Sequence, residues 1–84
     1  MTKNPVLVLI EQLGIGYRAF GILYHCPLAT LRNTVYGFVD AIPQSVVRSL
    51  QEAGFNIDTN DINKSYRSWL KEKFMKKLEV AQDE

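Results

Sequence analysis

Residues 17–37 read Tyr17-Arg18-Ala19-Phe20-Gly21-Ile22-Leu23-Tyr24-His25-Cys26-Pro27-Leu28-Ala29-Thr30-Leu31-Arg32-Asn33-Thr34-Val35-Tyr36-Gly37. Phe20, Leu23 and Tyr24 stand at i, i+3 and i+4, a spacing that gathers side chains on one helical face. Pro27 disfavours helical geometry at Cys26 and itself tolerates a helix start. Gly37 suits the left-handed residue that follows a helix end. The stretch therefore predicts two short helices that meet at Tyr24–Pro27. Phe20 is the apolar residue of the first, and Gly21 is the small residue that lets the second cross closely. Tyr24 adds a contact, Cys26 plugs the turn, and Leu31 is the buried residue in the middle of the second helix.

The same punctuation extends in both directions. Asn4-Pro5 starts a helix that Gly14 stops, and Ile42-Pro43 starts one that Gly54 stops. Phe55 follows Gly54 as the apolar contact of a Schellman-type end, with Ile57 as a second anchor. The run Val6-Leu7-Val8-Leu9-Ile10 suits a strand by propensity, but the Asn4 cap, Pro5 start and Gly14 stop favour helix. No hairpin signal such as Asn-Gly occurs. After the cap-rich Asp58-Thr59-Asn60-Asp61, the residues Ile62, Tyr66, Trp69, Leu70, Phe74, Leu78 and Ala81 recur mainly at three- and four-residue steps. That predicts an amphipathic helix of about five turns. Its other face carries Lys64, Arg67, Lys71, Lys73, Lys76 and Lys77. The fold class is all-α, with five helices in one compact unit and no internal repeat.

Composition narrows the functional classes. With 84 residues, 46% hydrophobic and 23% charged, the chain has room for one domain and is too apolar for disorder. A net charge of +1 excludes a strongly basic nucleic-acid coat. One Cys forms no internal disulfide, no charged-then-apolar leader precedes the first helix, and the expected location is cytoplasmic. The longest apolar run is far short of a membrane span, so no membrane contact is expected. One His and one Cys provide no soft metal-ligand set, and neither metal nor cofactor is expected. His25 and Cys26 are neighbours in a turn and point apart, and the carboxylates are scattered. No enzyme chemistry is therefore expected. Tyr17, Tyr24, Tyr36 and Tyr66 are most simply amphipathic residues at the edge of the core. A chain this small buries only about 60% of its extended surface, which favours help from a partner subunit.

The pattern of residues 17–37 resembles the helix-turn-helix of the lambda-repressor-like family, the Cro and XRE type of DNA-binding domain. Pro27–Gly37 resembles that family's recognition helix and its closing glycine. The spacing on to Ile42-Pro43 and Gly54-Phe55-Asn56 is similar to the family's next helix. His25 stands where the family's turn usually carries Gly, and Thr34 where it usually carries an aliphatic residue. The resemblance spans roughly residues 4–58. It implies a helix-turn-helix domain over 1–57, with an added C-terminal amphipathic helix over 58–84 for dimerisation or partner binding. It also implies a small transcriptional regulator, Cro- or repressor-like, of a phage or other mobile element. Such a protein binds a two-fold operator on double-stranded DNA as a homodimer.

In that arrangement the outward residues of the second helix are Leu28, Ala29, Arg32 and Asn33, with Thr30 near the backbone. Arg pairs bidentately with guanine and Asn with adenine, and Leu28 and Ala29 suit a thymine methyl. The resemblance places Tyr17 and Arg18 against phosphate. Charge tempers the picture. Residues 1–63 hold Lys3, Arg18, Arg32 and Arg48 against Glu11, Asp40, Glu52, Asp58 and Asp61, a net of −1. Affinity for DNA comes largely from phosphate neutralisation, so a dimer or the basic tail must supply the rest. The tail face from Lys64 to Lys77 has six cations against Glu72. Tyr66, Trp69, Leu70, Phe74 and Leu78 are the candidate dimer or partner interface; core packing is the other use of the same stripe. The alternative function is a protein-binding module of the same fold, such as an antirepressor, inhibitor or adaptor, with no sequence-specific DNA binding.

Overall fold

A computed structural model describes residues 3–82, with side chains through residue 78. Five α-helices follow one another: α1 (Pro5–Gln12), α2 (Tyr17–Leu23), α3 (Leu28–Tyr36), α4 (Gln44–Glu52) and α5 (Thr59–Gln82). No strand occurs among the described residues. The all-α expectation holds, and so does helix over strand at Val6–Ile10. Asn4 decides that segment: its Oδ1 accepts from the amides of Val6 (3.0 Å) and Leu7 (3.5 Å), and Pro5 opens the helix behind it. Pro27 and Pro43 sit one residue outside their helices, with ψ of 129° and 148°. The proline ring fixes φ but leaves ψ free, so proline serves as cap as readily as first residue.

Three helix ends close by the same bond. The amides of Cys26, Phe38 and Phe55 donate to the carbonyls of Gly21, Asn33 and Leu50, each five residues back (2.9, 2.8 and 3.2 Å). This is the Schellman pattern, which needs a left-handed residue just before the donor. Gly37 and Gly54 provide it, with φ of 78° and 103°. His25 provides it in the first case at φ 56°, the one positive-φ residue other than glycine among those described. The conformation expected of the turn is thus adopted by an imidazole-bearing residue, at a steric cost that glycine avoids.

Val6, Ile10, Phe20, Leu31, Val46, Val47 and Leu50 are fully buried at the centre. Cys26 joins them from the turn, and Gly21 lies under α3. A Cβ at Gly21 would stand 2.9 Å from Leu28 Cδ2 and 3.0 Å from the Cys26 carbonyl, so the close crossing of α2 and α3 requires glycine. Thr34 is fully buried, and its hydroxyl donates to the Thr30 carbonyl at 2.9 Å, so it occupies an aliphatic position without an unpaired polar atom. Ser49, also buried, donates from its hydroxyl to the carbonyls of Tyr24 and Ser45.

Helix α5 is part of this core rather than an appendage. Asp58 caps it through an Asp61 amide bond of 3.0 Å. Ile62, Tyr66 and Leu70 are buried with the other helices, and the Tyr66 hydroxyl donates to the Val39 carbonyl at 2.7 Å. Asn63 ties the loop after α3 to α5, accepting from the Ile42 amide at 2.8 Å. From Phe74 onward the large apolar side chains of α5 are exposed, and the chain measures 44 × 23 × 20 Å overall. The side chain of Ala81 lies outside the described residues.

Candidate nucleic-acid interface

The outward side of α3 and the first turn of α2 share one open cleft of about 400 Å³. Its walls are Tyr17, Arg18, Leu28, Ala29 and Arg32, five of the seven residues expected to touch DNA. Leu31, Thr34 and Val35 point into the core, so the helical period leaves Leu28, Ala29 and Arg32 toward solvent. Thr30 and Asn33 do not line the cleft; both are half-buried at the flanks of α3. Among the described residues no carboxylate lines the cleft, and Arg18 and Arg32 are its two cations. Neither α3 nor its Pro27 cap position supplies a side-chain cap to the first-turn amides. Those donors are open to an anion.

Sequence reasoning missed Tyr36 as part of this face. It lies four residues beyond Arg32 and eight beyond Leu28, and those steps were the available signal. Tyr36 is exposed, and its ring meets Tyr17 edge-on at 6.2 Å. Hydrogen bonding to Tyr17 pushes the Tyr36 phenol above its ordinary value; repulsion from Tyr17 and burial add to this, and Arg32 opposes it. Near neutral pH the Tyr36 phenol therefore keeps its proton.

The C-terminal end of α3 is held from three sides. The Asn4 Nδ2 donates to the Thr34 and Val35 carbonyls at 3.0 and 2.9 Å. The Lys73 ammonium donates to the Tyr36 carbonyl and lies 5.9 Å from the Phe38 ring centre and 5.3 Å from that of Trp69. Trp69 lies directly against Gly37. The last carbonyls of α3, orphaned by helix geometry, thus all have partners. Lys73 accordingly belongs to a helix cap and not to a freely solvated tail face.

The expected interface stripe on α5 divides. Tyr66 and Leu70 are consumed by the chain's own core, which corrects their assignment to an outward interface. Trp69 is half-buried against Gly37, Tyr66 and Lys73. Phe74 and Leu78 are exposed, together with Met75. A second apolar patch, unremarked in the sequence, is formed by Ile22 (71% exposed) and Leu23 (59%) at the end of α2.

The remaining reactive groups do not assemble. Cys26 is buried, and burial pushes its thiol up, with a hydrogen bond to Ser49 opposing. His25 beside it is exposed, so the pair is divided between core and solvent. Among the described residues no group of three His, Cys, Asp or Glu could hold a metal ion, and no single helix is long and apolar enough to cross a membrane. Comparison with protein-family models, curated proteins and solved structures returned no match.

Proposed function

We propose that this chain is a small sequence-reading DNA-binding regulator of the Cro or repressor type, acting as a homodimer. The observation that carries the reading is the cleft shared by Tyr17, Arg18, Leu28, Ala29 and Arg32 on a helix braced at its far end. Helix α3 enters the major groove. Arg32 presents its fork to a guanine edge, Leu28 and Ala29 meet a thymine methyl, and Asn33 reaches an adenine at the flank. Tyr17, Arg18 and Thr30 hold phosphates and set the register. A second copy joins through the projecting part of α5, where Phe74 and Leu78 are exposed. Two reading helices then address half-sites about one helical turn apart, and occupancy blocks polymerase.

A second reading has its own support. Ile22 and Leu23 are exposed at the end of α2, and Leu28 is exposed at the start of α3; exposed apolar side chains of this kind fit a protein groove or helix. They favour a binding module acting as antirepressor, inhibitor or adaptor. Selection from random duplex DNA at two salt concentrations, with the mass of the protein recorded, separates the two. A two-fold motif bound by a dimer and weakened by salt supports the regulator. Absence of any enrichment at low salt overturns it in favour of a protein partner.

A further inference from the structure

The cations of α5 are unequally used. Lys73 is engaged at the end of α3, and Glu72 and Lys76 have interactions of their own. Lys64, Arg67 and Lys71 stand at i, i+3 and i+7, so they share one stripe. All three are exposed, with no hydrogen bond or ion pair among the described residues. They line a single open cleft of about 540 Å³, walled also by Ala41, Asn60 and Asn63. Among the described residues no carboxylate lines it. At about 100° per residue, Glu72 projects away from Lys71, while Asp61, three residues before Lys64, stands at the end of the stripe.

We propose that this cleft is a phosphate-backbone contact for duplex DNA, and that it supplies the neutralisation the α2–α3 face lacks. The proposal rests on the DNA-reading function above. That face has only Arg18 and Arg32, and residues 1–63 carry a net of −1. Binding to DNA draws on counterion release, roughly one event per neutralised phosphate. Lys64 to Lys71 spans about 10 Å of helix axis, or about three phosphate steps of one strand measured along the duplex axis at about 3.4 Å each. The wall is firm because Asn63 is fully engaged: its Oδ1 accepts from the Ile42 amide and its Nδ2 donates to the Thr59 carbonyl. The cleft's wall includes Ala41, five residues beyond the end of α3. Every lining residue but Ala41 carries a polar or cationic group, which favours a polyphosphate over an apolar docking segment.

The test uses the full chain carrying K64Q/R67Q/K71Q, substitutions confined to exposed positions. Binding of a fluorescent duplex is titrated between about 50 and 200 mM salt. The expected result is a salt exponent shallower by about 2–3, weaker binding at low salt, and an unchanged base preference. An exponent unchanged from that of the parent chain overturns the proposal while leaving the DNA-reading function in place. No salt-dependent duplex binding by the parent chain overturns the function itself. Vesicles containing phosphatidylserine form the second arm. Vesicle binding by the parent that the triple variant loses, with duplex binding unaltered, reassigns the cleft to an anionic lipid surface and overturns the proposal.

Discussion

The side-chain amide of Asn4 donates to the Val35 carbonyl at 2.9 Å, across thirty-one positions of the chain. The same side chain caps α1 with its oxygen and holds the end of α3 with its nitrogen. It is 4% exposed, so no water replaces either set of bonds. Asn4→Ala removes a helix cap, worth about 0.5–2 kcal/mol, and leaves buried carbonyls short of a donor, worth about 1–3 kcal/mol. A total loss of about 2–4 kcal/mol in urea unfolding is expected. Asn4→Asp keeps the capping oxygen but turns a carboxylate toward two carbonyls. It should therefore lose as much as alanine despite being a good cap in isolation. An aspartate variant as stable as the parent would show that the link to α3 contributes nothing.

Gly37 and Gly14 separate two reasons for glycine. Both have positive φ, 78° and 75°. A Cβ at Gly14 meets nothing within 4 Å, whereas at Gly37 it would stand 2.8 Å from the Trp69 ring and 3.1 Å from Leu70. Gly14→Ala should cost about 1–2 kcal/mol, the left-handed penalty alone. Gly37→Ala should cost clearly more, because a half-buried aromatic ring packed against the core must shift. Equal losses for the two variants in denaturant unfolding would mean that Trp69 yields freely.

Much of the architecture is legible in local chemistry. Asn4-Pro5, Gly37 and Gly54-Phe55 act within a few residues of themselves, so helix boundaries follow from them. Gly21 and Cys26 are readable for the same reason: they serve a crossing between adjacent helices. What escapes is long-range. Nothing local to Asn4 points to Thr34 and Val35, and nothing local to Lys73 points to Tyr36. Tyr66 and Leu70 fit an outward interface by periodicity as well as they fit the core. The choice between core and partner depends on which helices arrive beside them. The placement of Ala29 and Arg32 on the cleft side of α3 is readable because Leu31 fixes which side of α3 is buried.

His25 holds the turn between α2 and α3 at φ 56°. A non-glycine residue there bears a steric cost of about 1–2 kcal/mol, offset by the entropy that glycine loses on folding, about 0.5–1 kcal/mol. His25→Gly should thus be neutral or stabilising by up to about 1 kcal/mol. His25→Val, with its branched Cβ, should destabilise. A glycine variant markedly less stable than the parent in thermal unfolding would show that the imidazole makes a contact of its own.

Stability should fall on the alkaline side through two buried groups. Cys26 is raised above its ordinary value of 9.0, first by burial and against a Ser49 hydrogen bond. Tyr66 is raised above 10.0, first by burial and then by the charge of Asp40, against its bond to Val39. In each case the folded state holds the proton more tightly than the unfolded chain. The contribution is complete below the unfolded value and is lost as pH rises through the folded one. Urea midpoints should be level near neutrality with respect to these groups and decline above about pH 9. Cys26→Ala should remove the first part of that decline, whatever it costs at neutral pH. An alkaline decline identical in the two proteins would remove the thiol from the account.

Ending the chain after Lys73 separates the two parts of α5. Ile62, Tyr66, Trp69 and Leu70 stay in place, and Lys73 keeps its bond to Tyr36. Phe74, Met75 and Leu78, all about half-exposed or more, are removed. Little core is lost, so far-UV helicity of the remainder and the urea midpoint should change by less than about 1 kcal/mol equivalent. Truncation after Asn60 instead removes three buried side chains and should unfold the protein, since each large buried residue contributes about 2–5 kcal/mol. If the projecting turns carry the dimer, the chain ending at Lys73 should sediment as a monomer. It should bind a full operator far more weakly than the parent while retaining preference for the half-site, because α3 is untouched. Arg32→Ala in the parent should do the reverse, keeping the dimer and relaxing one base pair at a cost of about 1–3 kcal/mol. A chain ending at Lys73 that remains a dimer would move the subunit contact elsewhere, to the exposed Ile22 and Leu23 surface of α2 in the first instance.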